Sequence, residues 1–101
     1  MKLSVILPAR NEAAVIDSLL EELSQRLPEA EVIVVDDGST DDTAALCGRY
    51  PVRLISHPYS KGNGAAVKTG ARAATGDILV FMDADGQHRP EDIPRLLAKL
   101  E

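Results

Sequence analysis

Two aspartates one residue apart, Asp83 and Asp85, stand at the end of an apolar run in "FMDADGQH" (residues 81–88). Carboxylates so close repel each other unless something positive lies between or beside them. In an extended segment, residues two apart point to the same side. Asp83 and Asp85 can therefore offer oxygens to one cation, and the Gln87 carbonyl continues the series. Oxygen ligands without cysteine suit Mg²⁺ or Mn²⁺ rather than zinc. The competing reading is a surface turn. His88 is open between a ligand, a phosphate contact and a plain surface residue. An EF-hand is excluded, because its sixth and twelfth positions would fall on His88 and Pro94 instead of glycine and glutamate.

Two further stretches carry chemistry. In "DDGSTDDT" (36–43), Gly38 and the Ser/Thr pair read as a turn and a helix cap. That reading leaves Asp36 and Asp37 unused, and a carboxylate there can accept a hydrogen bond from a nucleobase N–H or a ribose hydroxyl. "KGNGAAVKTG" (61–70) invites comparison with phosphate-binding loops and matches none. Val67 stands where the dinucleotide fingerprint needs its third glycine, and Gly64 to Gly70 enclose five residues where the P-loop has four. A tight turn onto a closely packed helix remains. Lys68 and Arg72, one turn apart, face either an anionic ligand or solvent.

The elements that must position these residues follow from the apolar pattern. "KLSVIL" (2–7) is a short β-branched strand ended by Pro8, and "EVIVV" (31–35), "VRLIS" (52–56) and "DILVFM" (77–82) are three more. Val15, Ile16, Leu19, Leu20, Leu23 and Leu27 recur at helical spacing between Glu12 and Pro28. A short helix follows Ser39 or Thr40 as N-cap, and an alanine-rich one opens at the glycines and stops at Gly76. The last begins at Pro90, with Pro94 expected in its opening turn. Four strands alternating with four helices predict an α/β, Rossmann-like parallel sheet covered on both faces. Each strand is followed by chemistry: "PARNE", "DDGSTDD", "HPYSKGNG" and "DADGQH". The other strand ends show only "MK", "PEA", "YP" and "TG". One sheet edge thus collects all of it, as the carboxyl edge of an open α/β sheet does around a ligand.

The totals restrict the function. A chain of 101 residues, 45% hydrophobic and 27% charged, fits one globular domain. Sixteen acids against eleven Lys and Arg argue against a nucleic-acid binder that neutralises phosphates, so an anionic ligand calls for a metal intermediary. The single cysteine, Cys47, fits a reducing compartment, and no apolar run approaches the ~20 residues of a membrane span. A soluble, cytoplasmic segment is the expectation.

Taken in order, "SVILPARNE", "VIVVDDGSTDDT", "KGNGAAVKTGARAATGD" and "ILVFMDADGQHRPEDIPRLL" resemble the N-terminal half of a family 2, inverting, GT-A-fold glycosyltransferase. The "DADGQH" form with Pro90 and Ile93-Pro94 is most similar to the polyprenyl-phosphate, dolichol-phosphate mannosyltransferase-like branch. The resemblance implies a nucleotide-diphosphate sugar, UDP- or GDP-linked, held through Mg²⁺ or Mn²⁺, and an acceptor of the polyprenyl-phosphate kind. It maps the nucleotide onto Pro8, Ala9, Arg10 and Glu12. Asp36 and Asp37 would read base or ribose, with Asp37 preferred, and Gly64, Lys68, Asp83 and Ala84 would complete the donor site. Asp83 and Asp85 would be the catalytic acids, holding the metal together with Gln87. Arg10 departs from the family, which often has an aromatic residue there; a guanidinium contact then replaces stacking on the base.

The same resemblance makes residues 1–101 a donor-binding half without its acceptor half. A sheet edge left uncovered in this way invites self-association. Two other classes stay in view: a phosphotransferase with Asp83 as nucleophile, and a non-catalytic nucleotide or metal module.

Overall fold

The computed structural model describes residues 2–82; the stretch from Asp83 to Gln87 that is expected to hold a metal, and the helix expected from Pro90, lie outside them. Within that span the order is β1 (Leu3–Ala9), α1 (Ala13–Arg26), β2 (Glu31–Asp36), α2 (Thr43–Cys47), β3 (Arg53–Ser56), α3 (Asn63–Ala73) and β4 (Ile78–Phe81). The strands form one sheet in the order β3-β2-β1-β4, every pair parallel. The expected Rossmann-like α/β architecture is therefore present. The chain runs outward from β1 through β2 to β3, then returns to pair β4 on the other side of β1. The reversal point, where such sheets bind ligands, lies between β1 and β4.

β1 and β2 are central and buried on both faces, which explains their nearly continuous Val, Ile and Leu. Alternation sends their side chains two ways. Val5, Leu7, Ala9, Val32 and Val34 meet Ile16, Leu19, Leu20 and Leu23 of α1 and Cys47 of α2. On the opposite face Ile33 and Val35 meet Ala66 of α3. The alanine-rich sequence of α3 has a steric reason, since a Cβ on Gly70 would lie 2.4 Å from Ile6 Cγ2. Each large aliphatic side chain buried here contributes about 1.5–3 kcal/mol.

Several expectations need correction. β1 continues through Pro8, which sits in register with Val35. In a parallel strand alternate residues direct their backbone groups to alternate neighbours. Ile6 O accepts from Met82 N on the β4 side and Ala9 O from Asp37 N on the β2 side. Pro8 therefore faces β4, whose register ends at Ile6↔Phe81, and its missing N–H costs no ladder bond. The outer strands are not covered on both faces: β3 is mostly exposed, and Leu79 and Phe81 of β4 are 38% and 43% exposed. Helix α2 starts at Thr43, later than the Ser39 or Thr40 cap implied, and α3 ends at Ala73, before Gly76.

Candidate functional site

The carboxyl edge of the sheet is assembled by hydrogen bonds between loops far apart in sequence. Asn11, with φ +54, occupies a left-handed conformation that asparagine tolerates. Its backbone N–H donates to Ser39 Oγ at 2.9 Å, and its side-chain Oδ1 accepts from Thr40 N at 2.8 Å. Glu12 N donates to Thr43 Oγ1 at 2.9 Å. Asp41 joins the two loops a third time. One of its oxygens accepts Ala13 N at 3.1 Å, the other Thr43 N at 3.0 Å as well as the Thr43 hydroxyl. A single carboxylate thereby satisfies orphan N–H groups at the starts of both α1 and α2, whose own cap residues supply no side-chain bond. The Thr43 hydroxyl, followed by the N–H donors, holds the Asp41 carboxyl below its ordinary pKa.

The adjacent acids at the end of β2, Asp36 in the strand and Asp37 just after it, diverge. Asp36 lies on the α1–α2 side, where its charge adds to burial in raising the Cys47 thiol to about 11. Its Oδ1 accepts from Ser39 N at 3.1 Å, and Oδ2 receives no hydrogen bond from the described residues. Asp37 turns the other way and is only 4% exposed. Its Oδ1 takes His57 Nδ1 at 2.8 Å and Lys61 N at 2.8 Å; its Oδ2 takes Ser60 Oγ at 2.9 Å and Gly62 N at 3.0 Å. Burial favours the protonated acid, yet His57, the two N–H groups and the Ser60 hydroxyl together outweigh it. The carboxyl is held well below the usual range.

The residues expected at the site occupy this edge unequally. Pro8 and Ala9 close β1 and are buried, Arg10 is exposed, and Glu12 is half-buried ahead of α1. Gly64 lies in the exposed first turn of α3, and Lys68 is exposed one turn later. The preference for Asp37 over Asp36 as reader of base or ribose meets a carboxylate whose two oxygens already accept four donors of the protein. Asp83, Ala84, Asp85 and Gln87 follow Met82 in sequence and lie outside the described residues. Met82 is 2% exposed and donates its N–H to Ile6 O at 3.0 Å. Among the described residues no group of three or more His, Cys, Asp or Glu is placed to hold a metal ion.

Sequence reasoning assigned no role to Asn11, Asp41, Thr43 or His57. His57 had a signal in "SHPYS", a histidine directly after a strand. Asp41 and Thr43 were lost in a run of eight residues, Asp36 to Thr43, each a turn former or cap former.

The comparisons agree with this geometry. The family profile described as "Glycosyl transferase family 2" matches residues 4–101. A dolichol-phosphate mannosyltransferase of Pyrococcus furiosus is 42% identical over 111 residues, covering 100% of this chain and 30% of that protein. An undecaprenyl-phosphate 4-deoxy-4-formamido-L-arabinose transferase of Salmonella choleraesuis is 34% identical, covering 99% of this chain and 34% of that one. The chain thus spans about a third of the length of the curated relatives it matches. Among solved structures, glucosyl-3-phosphoglycerate synthase from Mycobacterium tuberculosis, in complex with Mn²⁺, UDP and glucosyl-3-phosphoglycerate, superposes with a TM-score of 0.84. It is 36% identical, over 98% of this chain and 39% of the other. A sheet that reverses beside β1, loops tied together at its carboxyl edge, and a profile matched from Ser4 to the last residue have one common account: the chain belongs to glycosyl transferase family 2.

Proposed function

We propose that this chain forms the donor-binding part of an inverting sugar transferase, taking a nucleotide-diphosphate sugar at the crevice between β1 and β4. The observation that carries the reading is the tethering of the loop after β1 to the 39–43 loop after β2, which holds the β1 wall of the crevice in a fixed position. Pro8, Ala9, Arg10 and Glu12 would form the nucleotide wall. Asp36, with Oδ2 unengaged by the described residues, would read base or ribose, and Gly64, Lys68 and Ala84 would complete the donor contacts. Mg²⁺ or Mn²⁺ would be held by Asp83, Asp85 and Gln87, a donor set of oxygens that fits either ion. When bound, such a metal neutralises charge developing on a departing diphosphate. Support comes from the structural neighbour with UDP and Mn²⁺, and from relatives whose names specify dolichol phosphate and undecaprenyl phosphate. The acceptor would accordingly be a polyprenyl phosphate, with transfer at the cytoplasmic face of a membrane. Among the described residues no helix is long and apolar enough to cross one. The exposed edge strands β3 and β4 would favour self-association.

Calorimetry with UDP and GDP, in the presence and absence of MnCl₂, tests this. Metal-dependent heat is expected for one nucleotide, and Asp85→Asn is expected to abolish the metal-dependent part. No heat for either nucleotide with Mn²⁺ present would refute the proposal.

A further inference from the structure

Among the described residues, β4 is well covered on one face only. Its register with β1 pairs Val80 with Val5 and Phe81 with Ile6. Val5 and Val80 belong to the core beneath α1. Ile6 lies on the other face, where its Cγ2 meets Gly70 of α3. Alternation therefore sends Leu79 and Phe81 to the α3 face. Helix α3 packs there on β1 and β2, and Leu79 and Phe81 remain 38% and 43% exposed. Two large apolar side chains thus stand side by side on the strand that borders the crevice.

Residues 90–101, outside the described span, carry the complement. Their sequence sets Ile93, Leu96, Leu97 and Leu100 at i, i+3, i+4 and i+7, one apolar stripe of a helix, with Arg95 on the opposite side. Over that range a helix measures about 18 Å. The four residues of β4 measure about 13 Å, so one such helix spans the strand. Handedness supplies the face. The crossover from β3 to β4 carries α3 across the sheet, and a helix leaving β4 toward its free edge continues in the same direction. The right-handed rule then puts it on the face that α3 occupies.

We propose that the helix expected over 90–101 packs on the α3 face of β4, with Ile93, Leu96, Leu97 and Leu100 against Leu79 and Phe81. The stretch from Asp83 to Gln87 then joins two elements packed on each other and is held at both ends. Phe81 and Leu97 become positioning residues for that stretch. This second step rests on the donor-binding reading above; the packing does not.

Phe81 is the single phenylalanine of the chain, so its ring can be labelled alone. Nuclear Overhauser contacts are expected from that ring to the methyl groups of Ile93 and of the leucines at 96–100. A mixture of ring-labelled and methyl-labelled chains separates contacts within one chain from contacts between two. Leu97→Asp is expected to lose these contacts and to speed exchange of the Met82 amide, which donates to Ile6 O at 3.0 Å. Arg95→Asp, on the opposite side of the stripe, is expected to change neither. In calorimetry with MnCl₂ and UDP, Leu97→Asp should bind the ion roughly ten- to hundred-fold more weakly, as for supporting partners of other metal sites, and Leu97→Met should restore it. Absence of any contact between the Phe81 ring and these methyls in the wild type would overturn the packing. Contacts found only in the mixture would overturn it as well, and would assign the face to a second copy of the chain. Undiminished Mn²⁺ affinity in a Leu97→Asp protein that has lost the contacts would overturn the positioning role. A wild type that binds no Mn²⁺ refutes that role together with the metal reading, and the ring contacts still decide the packing. Those contacts are read in the wild type, so the packing is decided even if Leu97→Asp fails to fold.

Discussion

Substituting Gly38 by alanine probes the junction between the 36–43 loop and the 57–62 segment. Gly38 has φ +73, a region that costs an L-residue about 1–2 kcal/mol. A Cβ there would lie 2.5 Å from Ser60 N and 2.7 Å from Tyr59 C, both backbone atoms that no rotamer change can move aside. Restoring ordinary contact requires the two strands of chain to part by about 1 Å, judged against van der Waals spacing. That separation would break the Ser60, Lys61 and Gly62 bonds to Asp37, which are charge-assisted and contribute about 1.5–3 kcal/mol each when intact. Losing even one brings the total for Gly38→Ala to about 2.5–5 kcal/mol. With a urea m-value of about 2 kcal/mol/M for a small domain, the unfolding midpoint should fall by about 1–2.5 M. Gly64→Ala is the internal control. A Cβ at Gly64 meets nothing within 4 Å, and the residue sits in the first turn of α3. Alanine there should stabilise by up to about 1 kcal/mol. A Gly38→Ala midpoint within about 0.5 kcal/mol of wild type, read at equal m, would refute the reasoning, as would a Gly64→Ala protein less stable than its parent.

Two other outcomes follow from the same contacts. Because the Asp37 carboxyl is lowered in the folded chain, its stabilising effect is complete above the unfolded pKa of about 3.9 and is lost as pH falls below it, at up to about 1.4 kcal/mol per pH unit; urea midpoints taken from pH 6 downward should drop less steeply in Asp37→Asn, and equal slopes would contradict this. Thr43→Val removes the buried hydroxyl that accepts from Glu12 N and donates to Asp41, and should lower the urea midpoint while leaving the far edge of the sheet unchanged in amide exchange; an unchanged midpoint would contradict this.

Much of the fold was legible because burial and periodicity coincide. β1 and β2 are apolar throughout, being covered on both faces, and α1 repeats its leucines on the stripe that meets them. β3 and β4 were legible as strands but not as edges, since Leu54, Leu79 and Phe81 look like core residues and are 37%, 38% and 43% exposed. The start of α2 was misread for a different reason. Ser39, Thr40, Asp41 and Asp42 can all cap a helix; the cap position falls on Asp42, while the side chain that accepts the first N–H of α2 is that of Asp41, which also binds Ala13 N, 28 residues away. The site divides likewise. That Asp36 and Asp37 point to opposite faces is dictated by the strand, but which face receives the segment after β3 depends on the crossover. The roles proposed for Asp83, Asp85 and Gln87 rest on the sequence alone, as those residues lie outside the described span.

Pro8 gives the crevice a property that no loop can revoke. An amide hydrogen at that position would offer the β4 side one further donor for the ladder. Proline removes that donor covalently, so the last described pair of the fork, Ile6 with Phe81, is followed on β1 by a residue that can only accept.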